Sequence, residues 1–209
     1  VRGQRAVDWR LVDHVASRSA FNGAMHERLR GLIDASGRAD AGAGIALPRL
    51  ERVVDGDTIT YPHVSVNIER ENGLARIVVY GPSAGPPKGA DALQSAGAAY
   101  WGLAAVRALD DAILHLRLNE PEIGLWVLET EGDPELVEAH DRFLCEQAPS
   151  NWLASEIRHY WRRTLKRLDV SSRSIVTLIQ PGSCFAGMLA ELAFAADRTY
   201  ICLLYTSDA

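Results

Sequence analysis

Ile175-Val176-Thr177-Leu178-Ile179-Gln180-Pro181-Gly182-Ser183-Cys184-Phe185-Ala186-Gly187-Met188-Leu189-Ala190-Glu191-Leu192-Ala193-Phe194-Ala195-Ala196 is the stretch on which the fold turns. Ile175 to Ile179 are apolar and mostly β-branched, which suits a buried strand. Pro181-Gly182-Ser183 turns the chain, and Gly187 to Ala196 reads as a helix of small and apolar residues. A strand that feeds through a tight turn into a buried helix is the unit of a sheet with crossover connections. The N-terminus of such a helix presents unpaired N–H groups and a partial positive charge. Those groups suit a developing oxyanion such as a thioester enolate. Glu191 follows one turn later. Its sequence neighbours Leu189, Ala190, Leu192, Ala193 and Phe194 are apolar, so the expectation is a carboxylate with a raised pKa that acts as general acid or base. The plainer alternative is a helix-start Glu favoured by the helix dipole.

Outward from this stretch the α/β pattern continues. Ile123-Gly124-Leu125-Trp126-Val127-Leu128 is an apolar run of the kind found in parallel strands covered on both faces. Asp133 with Pro134 behind it is a helix cap followed by a first-turn proline. That helix extends to about Gln147, and another starts near Ser150 or Asn151 with Leu153, Ile157, Trp161, Leu165 and Leu168 on one face. Upstream, a long helix is expected from about Ala90 to Asn119, with Val106, Leu109, Ile113 and Leu116 inward and Asp110 and Asp111 facing away. Val64, Val66 and Ile68 alternate with polar residues as a strand, Asn72-Gly73 signals a hairpin, and Ala75 to Tyr80 is the return strand. Asp197 to Tyr200 leads into a last strand. At the start, residues 1–16 read as a short helix and Gly23 to Ala35 as a second, with a glycine-rich boundary after it. The expected organisation is a helical segment 1–36, a linker 37–59, an α/β domain 60–200 and a tail 201–209.

With 209 residues the chain holds one α/β domain or slightly more. A net charge of −5 argues against a nucleic-acid footprint and a polybasic membrane patch. No apolar run suffices to span a bilayer, so no membrane partner is expected. No signal-peptide core follows Val1, and the missing initial Met leads to the expectation that the chain starts inside a longer protein. Cys145, Cys184 and Cys202 are spaced neither as a disulfide framework nor as a metal site, so a cytoplasmic setting is expected.

The segment 179–197 resembles the hydratase/isomerase signature of the crotonase superfamily. There a strand meets a glycine-rich turn and then Glu-Leu-Ala and Asp. The resemblance implies a crotonase-like α/β fold (a ββα spiral), here incomplete, and an acyl-CoA substrate. It places Glu191 at the catalytic Glu and Gly187 at the first glycine. Met188 stands where the family has its donor glycine, so a bulky side chain is expected near the thioester. The second oxyanion donor falls in Glu138-Ala139-His140-Asp141, at Glu138, without the family's Ala-Gly pattern. Ala108-Leu109-Asp110-Asp111-Ala112-Ile113-Leu114, Trp126 to Asp133, Arg163-Thr164-Leu165 with Asp169 to Ser174, and Pro181-Gly182-Ser183-Cys184-Phe185-Ala186-Gly187 narrow the resemblance to the benzoyl-CoA-dihydrodiol lyases. That branch opens the ring of 2,3-epoxybenzoyl-CoA with water in aerobic benzoate breakdown, releasing formate and a semialdehyde acyl-CoA. It implies no metal or redox cofactor, coenzyme A being carried by the substrate, and self-association into a homo-oligomer. Its subunit has two crotonase-like halves. Arg5 to Val15 resembles the segment that closes the first half, so 1–36 reads as that half's tail and 60–200 as most of the second. The residues from Cys202 to Ala209 leave the family pattern and are expected to be artefactual. Two alternatives stand beside the enzyme reading: a non-catalytic structural or dimerising half, and a generic enoyl-CoA hydratase/isomerase-like protein.

Other candidates read more plainly. His115, His140 and His159 lack metal-ligand spacing and suit core or solvated positions. Cys184 suits a small buried residue better than a nucleophile. Arg158, Arg162, Arg163, Lys166 and Arg167 form a basic helical stripe, which is a solvated face unless CoA phosphates meet it. Trp101, Trp126, Trp152 and Trp161 suit core or interface anchors.

Overall fold

In the computed structural model the chain falls into two compact units, Val1–Gly44 and Ile45–Ala209; residues 1–36 and 44–202 are described. The first unit holds α1 (Gln4–Asp8) and α2 (Phe21–Ala35). The helix expected over 1–16 is shorter than that. Arg10 adopts a left-handed φ of 56°, and the N–H groups of Leu11 and Arg10 donate to the carbonyls of Ala6 and Val7. That pair of bonds is a helix-terminating motif. The stripe of α2, with Phe21, Met25, Leu29, Leu32 and Ile33, is exposed.

The second unit is built on a mixed sheet. Its strands are β1 (Val53–Asp55), β2 (Thr58–Thr60), β3 (Val64–Glu69), β4 (Leu74–Tyr80), β5 (Leu125–Glu131), β6 (Ser174–Ile179) and β7 (Arg198–Ile201), in that spatial order. β1 to β4 run antiparallel, and β4 to β7 run parallel. The helices α3 (Ala90–Ala96), α4 (Trp101–Asn119), α5 (Pro134–Gln147), α6 (Trp152–Asp169) and α7 (Gly187–Phe194) make the crossovers between parallel strands. The α/β class expected from the sequence is the class found. β1 and all but the last residue of β2 lie within the stretch expected to be a linker, and Ile45 packs against the core; residues 37–43 of that stretch lie outside the described residues. The expected domain end is also one residue short, since Ile201 belongs to β7 and Cys202 N–H donates to Ile179. Residues 203–209 of the expected tail lie outside the described residues.

Alternation sets the two faces of the sheet. Val64, Val66, Ile68, Ala75, Ile77, Val79, Trp126, Leu128 and Ile175 are buried. On the opposite face a polar ladder crosses four strands. Arg76 on β4 lies 3.2 Å from Glu69 on β3 and 2.7 Å from Glu129 on β5, and Gln180 just past β6 donates to Glu129 at 2.9 Å. The apolar run of β5 buries Trp126, Val127 and Leu128 together, then alternates from half-buried Glu129.

The long helix expected from Ala90 is interrupted. Gly97 turns left-handed at φ 52°, α3 ends there, and α4 restarts at Trp101. A second correction concerns Asp110, which does not face away. It is only 7% exposed, lies 2.8 Å from Arg167 Nε on α6 and accepts from Tyr160 at 3.1 Å. A buried carboxylate needs such partners, and here they lie where α4 meets α6. Asp111 pairs instead with Arg52 and Tyr61. Caps fix the starts of α5 and α6: Asp133 accepts from Glu135 N–H at 2.8 Å, and Asn151 accepts from Ala154 N–H at 2.9 Å.

Candidate functional site

The turn after β6 is tied down residue by residue. Ser183 N–H donates to Gln180, and Ser183 Oγ accepts from Gln180 N–H, both at 2.9 Å. Gly182 takes the positive φ, 86°, that lets the turn close. Cys184 N–H donates to Thr130 Oγ1 at 2.9 Å, which fastens the turn to β5. The Cys184 thiol is fully buried beneath Gly81 and Gly132. Burial pushes its pKa up, which makes it a packing group rather than a nucleophile.

Ala186 caps α7, and Gly187 begins it with φ 46°. The N–H groups of Gly187 and Met188 meet no protein acceptor among the described residues. A cavity of about 750 Å³ lies between α5, α6 and α7. Gly187, Met188 and Glu191 all line it, so three of the four residues singled out in the sequence come together. The bulk of Met188 is packed into the core, with 7% of it exposed. The apolar enclosure expected for Glu191 is absent. Glu191 is exposed while Leu189 and Leu192 are buried, because sequence neighbours on a helix point to different faces.

Glu138 stands apart from this group. It lies inside α5, is exposed, and accepts from Arg142 one turn on at 2.7 Å. A mid-helix N–H is spent on the carbonyl four residues back, so Glu138 offers no second oxyanion donor. The family's second donor was carried onto Glu138 by position, and α5 is helical there.

What α5 does bring to the cavity is Asp141. Its side chain sits against Gly187 so closely that a Cβ on Gly187 would be 2.8 Å from Asp141 Cβ. Burial pushes the Asp141 carboxyl above its ordinary range, Glu191 and Glu138 add to that, and Arg158 opposes it. The sequence pointed to the tetrapeptide but not to this residue. The legible signal was the Asp133-Pro134 start: counting turns from it places Asp141 inward with Val137 and Leu144. Arg158, Arg162 and Lys166 of α6 line the facing wall. Arg163 instead stacks over Tyr160 at 5.4 Å.

His140 is a core residue. Its Nε2 lies 3.0 Å from the Ala84 carbonyl and its Nδ1 3.1 Å from Tyr100 Oη. The carbonyl can only accept, so Nε2 carries the proton and Tyr100 donates to Nδ1. Burial holds the His140 pKa below its ordinary value. The unfolded chain therefore takes up the proton first. This contribution to stability is complete above about pH 6.5 and is lost as pH falls below it. Urea unfolding at about pH 7.5 and 5.5 checks this expected outcome, and H140Q is expected to flatten the difference. Among the described residues no three His, Cys, Asp or Glu side chains converge as metal ligands. No helix among them is long and apolar enough to cross a membrane.

No family model matches the chain. Over 201 residues, 96% of its length, it is 43% identical to benzoyl-CoA-dihydrodiol lyase of Aromatoleum evansii, and it spans 36% of that protein. Among solved structures, an enoyl-CoA hydratase of Geobacillus kaustophilus HTA426 is similar at 15% identity with a TM-score of 0.40, over 68% of this chain and 46% of its own. A carnitinyl-CoA dehydratase of Mycobacterium thermoresistibile is similar at 12% identity with a TM-score of 0.44, over 67% and 36%. By sequence, this α/β chain is a relative of benzoyl-CoA-dihydrodiol lyase along nearly all of its own length.

Proposed function

We propose that the chain is part of a lyase that handles an aromatic acyl-CoA thioester, opening the ring of 2,3-epoxybenzoyl-CoA with water. The observation that carries this reading is that Gly187, Met188 and Glu191 line one cavity. In this reading the N–H groups at the start of α7 bind the thioester oxygen as charge develops on it. Glu191 moves a proton between water and substrate. Asp141 stands beside Gly187 and fixes the mouth of the turn. The coenzyme A portion belongs to the substrate, and the chemistry calls for no further cofactor.

Replacing Glu191 by Gln in the complete open reading frame tests the proposal. Loss of a general acid or base is expected to lower kcat by about 10²-fold or more with little change in KM. A second reading is supported by the helical burial of the Glu138 N–H, which leaves the start of α7 without a converging donor. In that reading this region is the structural or self-associating half of the enzyme. Unchanged turnover in E191Q supports it and sinks the first.

A further inference from the structure

The basic stripe of α6 divides into two sets. Arg167 is held by Asp110 and Arg163 lies over Tyr160. Those two are committed to packing. Arg158, Arg162 and Lys166 line the cavity and make no ion pair among the described residues. They recur every fourth residue, so each stands about 6 Å above the last on one face of the helix. Like charges at that spacing repel one another, and an anion laid along the row relieves the repulsion. Two carboxylates of the cavity lie on other helices, Asp141 on α5 and Glu191 on α7, and Asp169 ends α6 one turn after Lys166. Arg158 is the member that acts electrostatically on Asp141, which in turn touches Gly187. The row thus runs from the start of α7 outward along α6. Leu144, Leu165 and Phe194 supply apolar surface between the two walls, and Phe194 is 78% exposed.

We propose that Arg158, Arg162 and Lys166 form the phosphate-binding wall of this cavity, holding a ligand's phosphate groups along α6 while its other end reaches the start of α7. This rests on the thioester reading above for the identity of the ligand, and on the charge row alone for the phosphate chemistry. Arg162 and Lys166 take the phosphates, and Arg158 bridges between them and the reacting end. Guanidinium groups bind phosphate oxygens through paired, charge-assisted hydrogen bonds, and lysine contributes a point charge.

Binding is measured by calorimetry on the full chain with coenzyme A, pantetheine and inorganic pyrophosphate as probes. Coenzyme A is expected to bind at least about tenfold more tightly than pantetheine, which lacks the phosphates, and to weaken as salt is raised. R162E combined with K166E is expected to lower coenzyme A affinity by at least about thirtyfold and to leave pantetheine unaffected. R163E, outside the cavity, is expected to change nothing, and R162K is expected to recover most of the loss. All three substituted side chains are exposed, and circular dichroism confirms that the variants fold. If the double variant binds coenzyme A as the parent does, the row is a solvated face and this proposal fails while the thioester reading stands. If pyrophosphate binds through the row but coenzyme A does not, the phosphate wall is supported and the thioester reading fails. If neither probe binds, the proposal is overturned.

Discussion

Replacing Trp126 with alanine is expected to destabilise the fold by about 3–5 kcal/mol, the range for removing a large aromatic side chain from a core. Trp126 is 0% exposed and sits in β5, near the middle of the sheet. Its register partners are Ala75 on β4 and Ile175 on β6. Ala75 is too short to fill the vacancy from its side, which leaves much of it open. The contribution is one of packing alone, since Trp126 Nε1 meets no protein acceptor among the described residues. W126F removes that unpaired donor along with part of the ring, so its loss is expected to be less than half that of W126A. Trp161 behaves differently. Its Nε1 donates to the Gly102 carbonyl at 2.7 Å, so W161F also forfeits a buried hydrogen bond of about 1 kcal/mol. Urea unfolding of the three variants gives this order directly. Equal losses for W126F and W161F are the outcome that contradicts it.

The second large effect is expected at Gly132. Its φ of 146° lies in a region that side chains rarely enter, and a Cβ there would stand 3.1 Å from Gly81 Cα and 3.2 Å from Gly81 N. Those atoms belong to backbone that cannot step aside. Gly81 N–H donates to Glu131 at 2.8 Å, and Gly132 N–H donates to Gly182 at 2.9 Å. These bonds lock the ends of β4, β5 and β6 together above Cys184. G132A is therefore expected to cost about 2–4 kcal/mol, from backbone strain and overpacking combined. G187A is the informative comparison. Its Cβ would stand 2.8 Å from Asp141 Cβ, an atom that side-chain rotation does not move, so α5 or α7 must shift to admit it. The left-handed φ there adds about 1–2 kcal/mol. Thermal unfolding of the pair is expected to show both variants melting below the parent, and a parent-like melting temperature for either overturns this account.

Much of the fold is legible in the residues, and the misses have physical causes. Asp133-Pro134 and Asn151 mark helix starts that the structure reproduces with side-chain caps. β1 and β2 were passed over for a linker although Asp55-Gly56 is a hairpin signal. The strands are short, and Val53 and Val54 are exposed, so no alternation announces them. The burial of Asp110 could not be read either, because its partner Arg167 is distant in sequence and only the α4–α6 contact unites them. At the candidate site, Gly187, Met188 and Glu191 share one helix and so come together in any fold that keeps it. Glu138 failed because a family position was carried onto residues whose own pattern already reads as the helix that forms there. Asp141 can be placed on the inner face of α5 by counting from Asp133-Pro134, but its contact with Gly187 emerges only when α5 is laid against α7.

The polar ladder on the open face of the sheet carries one more consequence. Exposed ion pairs contribute little energy, yet Glu69, Arg76, Glu129 and Gln180 come from four separate parts of the sheet and meet only when those parts are correctly aligned. A shift of β4 by one residue turns Arg76 toward the helices and Ile77 toward water. The ladder then cannot close, and a charge is stranded in the core. These four side chains act as a proofreading mark: they add little to the correctly paired sheet but raise the energy of every misaligned one.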